Sequence, residues 1–554
     1  MALNDDKPST PLIDATFVTS RNSRNNQSSV TFRETSGSNS FISQPLFAVF
    51  WLLVVQMLER IAYYEITLNI TPYVGAYLDV KMSGSVSLFV ITTFAVGTMS
   101  TITPVYGFLS DAKFGQYNTL VTCFVSYCIG AGLICASAYT IAMHVTKPEA
   151  LPEALYFTGL VFVLLFSASG IRATLVPFML EQLTGDNQRS KYLTQFVSWS
   201  YLFVNIGAAI AFLLGGYLQS INFKSTDERL RNKFIKNRAP GFYVPNIKAI
   251  FRTAFCKDDL PQHYSRSALR YYEQEPDSEE EKVKKERQEH IQRLAPILPL
   301  LCALMLYFTI QSQVENGFIT QGQKMDRGEL PDIPIPTADL TAAFDPLAVI
   351  MSVPIMLFCV KPLYERIAQR TLYNVVMPRI RLGMLLAFLS CGVTTFIESY
   401  KDSGGDMPRP KHHHINNFTE CYWNIPIYSQ VPQYVLMGMS EVLTVVGIME
   451  FVISSSPRQF RSTTFGLTFC ISGLGRYIGV ALLQFLHAVD HTLTFPPLRH
   501  SNNTIYCDID KEMKSKPYVY FMILTCLIAV NLVIFLLFEN RFRKYVRIAP
   551  LPRN

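Results

Sequence analysis

Charge is what this sequence has least of. Asp, Glu, Lys and Arg make up 16% of its 554 residues, against about 25% in an average globular chain. Hydrophobic residues make up 49% and mean hydropathy is +0.20. A disordered, fibrous or coiled-coil protein is thereby excluded. The sequence also lacks a nucleotide-binding Gly-rich loop, a cluster of metal ligands and a hydrolase constellation. Nothing therefore points to an enzyme, a cofactor, a metal or nucleic acid. No cleavable signal peptide precedes the first apolar block. Residues 1–41 are polar, rich in Ser and Asn, and read as a disordered cytoplasmic tail.

What is there is apolar sequence gathered into long blocks. A hydrocarbon core about 30 Å thick needs roughly 20 mostly apolar residues per helix. Candidate spans lie near 46–75, 84–110, 117–143, 154–182 and 192–220, then near 295–322, 341–366, 375–399, 427–455, 461–489 and 517–539. The reading is an all-α polytopic membrane protein with eleven apparent spans and the lipid bilayer as partner. It divides into an N-terminal bundle (42–223), a charged linker (224–294), a C-terminal bundle (295–540) and a basic cytoplasmic tail (541–554).

Lys and Arg mark the short connections at 111–117, 185–191, 361–381 and 456–461, so these are expected to be cytoplasmic. Residues 400–426 and 490–516 read as extracytoplasmic. Each holds one glycosylation sequon, at Asn417 and at Asn502, and one cysteine, Cys421 or Cys507. A Cys421–Cys507 disulfide is expected in an oxidising compartment. Eleven spans would put the two tails on opposite sides, although both look cytoplasmic. The conflict falls on residues 220–294, where one spanning helix is missing just after Phe223.

Charges within spans usually face a cavity. Gln56, Glu59, Arg60, Tyr63 and Tyr64 share one broad face of the first span, linked by i+3 and i+4 spacings. Arg172 lies in the fourth span and Gln311, Gln313 and Glu315 in the sixth block. Glu441 and Glu450, nine residues apart, should point to opposite sides of their helix. The bland alternative for each charge is a buried structural ion pair.

Gln56–Tyr64 resembles the ExxERxxYY signature of the proton-dependent oligopeptide transporters, a family of the major facilitator superfamily. Gly107–Gly115 resembles that family's loop after the second span, and Gly170–Gln182 its GGxKxNxxPFGxDQ stretch. Ile425–Tyr434, Ser440-Glu441, Gly447–Phe451, Ser456-Pro457 and Arg461-Ser462 are similar to its tenth span and the loop beyond. Asp345-Pro346-Leu347 resembles its Asn-Pro-Leu. The wording around Glu59–Asn69 and Gly170–Gln182 is nearest to the peptide/histidine branch.

The resemblance implies a two-bundle major facilitator fold that symports small peptides or histidine with protons by alternating access. It assigns Glu59, Arg60 and Glu441 to proton coupling. Tyr63, Tyr64, Arg172, Gln313 and Glu441 fall to the substrate site. Arg172 would take a substrate carboxylate and Glu441 its amino terminus. Endosomes or lysosomes are the expected location, with the plasma membrane as alternative. Leu12-Ile13 near Asp5 and Asp6 gives a weak sorting signal.

Departures from the family pattern are informative. Gln56 removes a titratable group, Glu65 adds one elsewhere, and Arg172 replaces a Lys with a cation that does not deprotonate. Ser312 stands near a usual Asp. The missing sixth span fits a splice form or gene model lacking one exon, a lineage that lost the helix, or an unseen re-entrant segment. Competing functions are a facilitator of another zwitterionic or anionic solute, such as an amino acid or nitrate, and a transport-inactive scaffold. The scaffold would bind cytoplasmic proteins through Glu273–Arg293.

Overall fold

The computed structural model describes residues 44–77, 85–142, 151–182, 186–217, 294, 297–326, 337–363, 372–403, 409–413, 418–494, 499–501, 504–506 and 514–546. The described residues of the apolar blocks are mostly helical. The N-terminal half holds α1 (Gln44–Tyr77), α2 (Ser85–Leu109), α3 (Gln116–Ala142), α4 (Leu151–Leu160), α5 (Ser169–Glu181) and α6 (Asp186–Ile210). A π-helical turn over Val161–Ala168 joins α4 to α5, so these two form one long rod. The stretch after Phe223, where a span is expected to be missing, lies outside the described residues.

The C-terminal half begins with three short helices: α7 (Ile297–Ala303), α8 (Met305–Gln311) and α9 (Gly317–Gln323). It continues with α10 (Thr337–Ile355), α11 (Leu372–Ser403), α12 (Val431–Ser455), α13 (Arg461–Val489) and α14 (Tyr518–Val546). Among the described residues, eight helices are long and apolar enough to cross a membrane. Their outward faces carry apolar stripes at helical spacing. Examples are Val121, Val125 and Ile129 on α3 and Val530, Val533 and Leu537 on α14. Such faces suit hydrocarbon rather than water.

Helix pairs hold each half together. In the N-terminal half α1 lies on α6 and α3 on α4; in the C-terminal half α11 packs on α12 and on α14. The two halves meet along α2 and α13, along α5 and α13, and where α6 meets α10 and α12. Glycine allows the closest of these approaches. A Cβ on Gly107 of α2 would lie 2.4 Å from the Ser462 carbonyl oxygen, and one on Gly473 of α13 would lie 2.6 Å from the Gly97 carbonyl oxygen. Small residues at such seams let helix backbones touch where apolar burial offers no drive.

The fold departs from all-α in its connections. Strands β1 (Met325–Asp326), β2 (Arg409–His413) and β3 (Phe418–Pro426) form one small sheet, and β4 (Arg499–Ser501) pairs with β5 (Thr504–Tyr506). Both sheets build the two loops expected outside the membrane, where polar sequence without apolar periodicity pairs backbone to backbone. Cys421 lies in β3 by its backbone. Its side chain, and Cys507, Asn417 and Asn502 altogether, lie outside the described residues, as do the N-terminal tail, most of the linker and residues 547–554, whereas residues 541–546 of the expected basic tail continue α14.

Candidate functional site

The break between α8 and α9 builds the centre. Residues 312–316 leave helical geometry, and Gln313 Oε1 lies 2.9 Å from where a Cβ on Gly317 would stand. Irregular backbone at membrane depth is found where it lines a cavity or is covered by protein. Here it carries Glu315 to the cavity and to Arg476 of α13, at 2.8 Å. Glu315 lies within electrostatic range of Arg60 and Arg172 as well.

On α1, Glu59 and its neighbour Arg60 form a bidentate pair, Nε to Oε2 at 2.5 Å and Nη2 to Oε1 at 2.7 Å. Both side chains are buried. The next turn presents Tyr63. The guanidinium groups of Arg60 and Arg172 each lie 4.7 Å from the centroid of its ring. Arg172 also lies over Phe469 of α13, at 5.7 Å. Two cations against one aromatic quadrupole fix the ring between them. Tyr64 meets Tyr63 edge to face and continues to Phe212. Arg172 has no hydrogen-bonded or ion-paired partner among the described residues, and its Nε is buried without an acceptor.

Glu441 stands across from this group, on α12. Its carboxylate accepts from the Tyr201 hydroxyl of α6 at 2.7 Å and from the Gln311 amide at 2.8 Å. Both donors are neutral. Glu450 accepts from Arg379 Nη1 at 2.9 Å and from the Thr194 hydroxyl of α6. The expectation that Glu441 and Glu450 face opposite sides is therefore corrected. Their roots diverge, but α6 runs antiparallel beside α12, and both long carboxylates reach hydroxyls on it.

Beside Tyr64 and Glu315 lies a cavity of about 60 Å3. Counting about 10–15 Å3 per water, it holds a few waters, and it is far below the roughly 300–1,000 Å3 of ligand pockets. Tyr64, Asn205, Glu315, Asp345 and Arg476 line it. The halves are tied on both sides of it. Towards the face expected to be extracytoplasmic, Thr93 donates to Asn316 and Thr98 bonds Tyr477 at 2.7 Å. Towards the other face, Arg461 pairs with Glu181. There Asp111, in the turn after α2, accepts from the Ser462 and Thr463 backbone amides and the Thr463 hydroxyl. Burial pushes the Asp111 carboxyl up to about 6, against those donors.

The structure thus gathers Glu59, Arg60, Tyr63, Tyr64, Arg172 and Glu441 around one centre. Gln313 is placed elsewhere. It is buried, accepting from the Tyr520 hydroxyl of α14 and bonded to the Thr309 carbonyl, away from the cavity. Gln311, rather than Gln313, donates to Glu441. Gln56 accepts from Ser200 within the packing of α1 on α6. Arg476, Asp345 and Tyr201 were not singled out as site residues from sequence. The rule that marks Arg172, a charge in the middle of an apolar block, marks Arg476 as well.

Comparison with known proteins agrees with this geometry. The model of the family described as PTR2, POT family, matches residues 259–499. Solute carrier family 15 member 3 of Mus musculus is 23% identical over 549 residues, covering 89% of this chain and 91% of that protein. Protein NRT1/PTR FAMILY 5.14 of Arabidopsis thaliana is 23% identical over 479 residues, covering 79% and 84%. Among solved structures, an auto-inhibited POT family peptide transporter superposes with a TM-score of 0.59 at 16% identity, over 91% of this chain and 98% of that one. A POT family transporter in complex with 5-aminolevulinic acid gives 0.57 at 14% identity, over 90% and 96%. Over residues 259–499 the chain matches the POT (PTR2) family, and its fold is that of the solved POT family transporters, which are multi-pass membrane proteins.

Proposed function

We propose that this protein is a proton-coupled symporter of di- and tripeptides and of histidine. One observation carries the reading. Arg172 in one half lacks an anionic partner, and Glu441 in the other half is held only by neutral donors. A free peptide or histidine is a zwitterion with fixed charge separation. Its carboxylate matches Arg172, which can bind both oxygens, and its ammonium can displace Tyr201 and Gln311 from Glu441. Drawing the halves together around such a solute, then parting them on the other face, is alternating access. Glu59, Arg60 and Glu441 form the coupling group, because a carboxylate beside a cation is released or re-paired as it titrates.

We infer further that the N-terminal half has five spans and the C-terminal half six, the family's sixth span being absent, as in a splice form lacking one exon. An acidic endosomal or lysosomal lumen would then drive solute towards the cytosol. A facilitator of another zwitterionic or anionic solute is the second reading. It is favoured by Gln56, which fills a usual carboxylate position with an amide bonded to Ser200.

The test is uptake of a labelled dipeptide and of labelled histidine into proteoliposomes with acid outside. Gradient-driven uptake that a protonophore and Glu441→Gln both abolish supports symport. Uptake indifferent to the gradient supports the facilitator. A folded protein that takes up neither solute overturns the reading and leaves the scaffold.

A further inference from the structure

The charges at the centre do not balance. Arg60, Arg172 and Arg476 are three cations; Glu59, Glu315, Asp345 and Glu441 are four carboxylates. Arg60 is taken by Glu59 and Arg476 by Glu315. If Arg172 and Glu441 hold the two ends of a zwitterion, Asp345 is left over.

Asp345 is placed to be used. It lines the cavity, and its Oδ1 is buried with no donor. The groups facing it from the elements packed around α10 are Glu441 and Tyr434 of α12, Tyr201 of α6, Glu315 of the α8–α9 break and Tyr307 of α8. The one cation that lines the same cavity, Arg476, is held by Glu315, and no ion pair to Asp345 is formed among the described residues. The backbone beside it has the same shortage. Pro346 and Pro354 lie inside α10, and Pro346 has no N–H to give to the Ala342 carbonyl one turn back. Ala342 also lines the cavity. An anionic oxygen and a carbonyl short of its helical donor thus border the same space.

We propose that Asp345 is a specificity-determining residue, selecting solutes that carry a cationic side chain in addition to the zwitterion. A buried carboxylate without a partner is costly and must be matched by a cation or neutralised by a proton. A neutral zwitterion adds no net charge and leaves that requirement unmet. An ammonium, guanidinium or imidazolium on the substrate side chain meets it directly. This inference rests on the peptide-transporter reading above and names the class of peptide the same site prefers.

The test is equilibrium binding to the purified full-length protein at pH 7.5, with Ala-Lys, Ala-Ala and Ala-Glu as probes. The expected order is Ala-Lys, Ala-Ala, Ala-Glu, with Ala-Lys about tenfold tighter than Ala-Ala, the effect of one charge-assisted contact. In Asp345→Asn the Ala-Lys to Ala-Ala ratio should fall to about one. Equal affinities for Ala-Lys and Ala-Ala in the unmodified protein overturn the proposal without needing any variant, and leave peptide binding standing. A ratio that persists in Asp345→Asn also overturns it. Binding of none of the three overturns the peptide reading itself and the proposal with it.

Discussion

Glu59 gives both of its carboxylate oxygens to Arg60, its neighbour in the chain. The most prominent charges of the α1 face therefore satisfy each other, and Arg172 is left as the cation available to a substrate. Removing it should be felt in binding. Arg172→Ala is expected to weaken dipeptide affinity by about 10- to 100-fold, the equivalent of about 1.5–3 kcal/mol for hydrogen bonds to a charged group. Arg172→Lys keeps the charge without the planar fork and should fall between. Measured affinities for a dipeptide and its C-terminal amide check this. The amide should be insensitive to Arg172→Ala, and an equal loss for both ligands would refute the assignment.

Gln313 should behave as a packing residue. Gln313→Ala removes the acceptor for the buried Tyr520 hydroxyl, at about 1–3 kcal/mol for a donor left unsatisfied. A fall of a few degrees in Tm is expected, with dipeptide affinity within about twofold. A large loss of affinity at unchanged Tm would return Gln313 to the substrate site.

These two residues show what the sequence could and could not convey. The long apolar helices are legible because hydrocarbon demands long apolar runs. The gathering of Glu59, Arg60, Tyr63 and Tyr64 is legible from helical spacing. Gln313 is not legible in this way, because residues 312–316 leave helical geometry and helical spacing no longer tells which way a side chain there points. The pairings were not legible. Nothing local says that Glu315 meets Arg476, 161 positions away, or that α6 lends hydroxyls to both Glu441 and Glu450. The strands of the outer loops carry no strong alternation, and their pairing depends on helices that bring the loop ends together.

The turn after α2 should make closure of the face expected to be cytoplasmic depend on pH. Asp111 titrates at about 6 when buried against α13, and near about 3.9 once returned to water. The closed face thus holds its proton more tightly than the open one. Acidification from about pH 6 to about pH 4 favours closure, and that contribution is lost as pH rises through about 6. Spin-label distances between the 111–117 turn and the start of α13 should shorten on acidification, and Asp111→Asn should flatten the response. A distance independent of pH in the unmodified protein would contradict this.

Arg379 is fully buried, and only its Nη1 bonds Glu450; Nε and Nη2 have no partner. A buried pair with such incomplete satisfaction stabilises little, yet breaking it strands a charge. Arg379→Met alone should cost about 3–5 kcal/mol, read as a marked drop in Tm. The double variant Arg379→Met with Glu450→Gln should recover most of the loss. If the double variant is no more stable than the single one, the pair is worth more than its geometry suggests.

The glycine seam between α2 and α13 has a mechanical meaning. Its contacts run in opposite order along the two helices, Gly107 against Ser462, Pro104 against Gly466 and Gly97 against Gly473. Backbone rests on backbone at these points, and the Tyr477 ring lies against Gly97. Close backbone approach there fixes the spacing between the helices while the halves tilt about it. A bulky residue anywhere on the line would act as a wedge, holding one face open at the expense of the other. The seam is therefore a natural place to trap the protein in a single orientation.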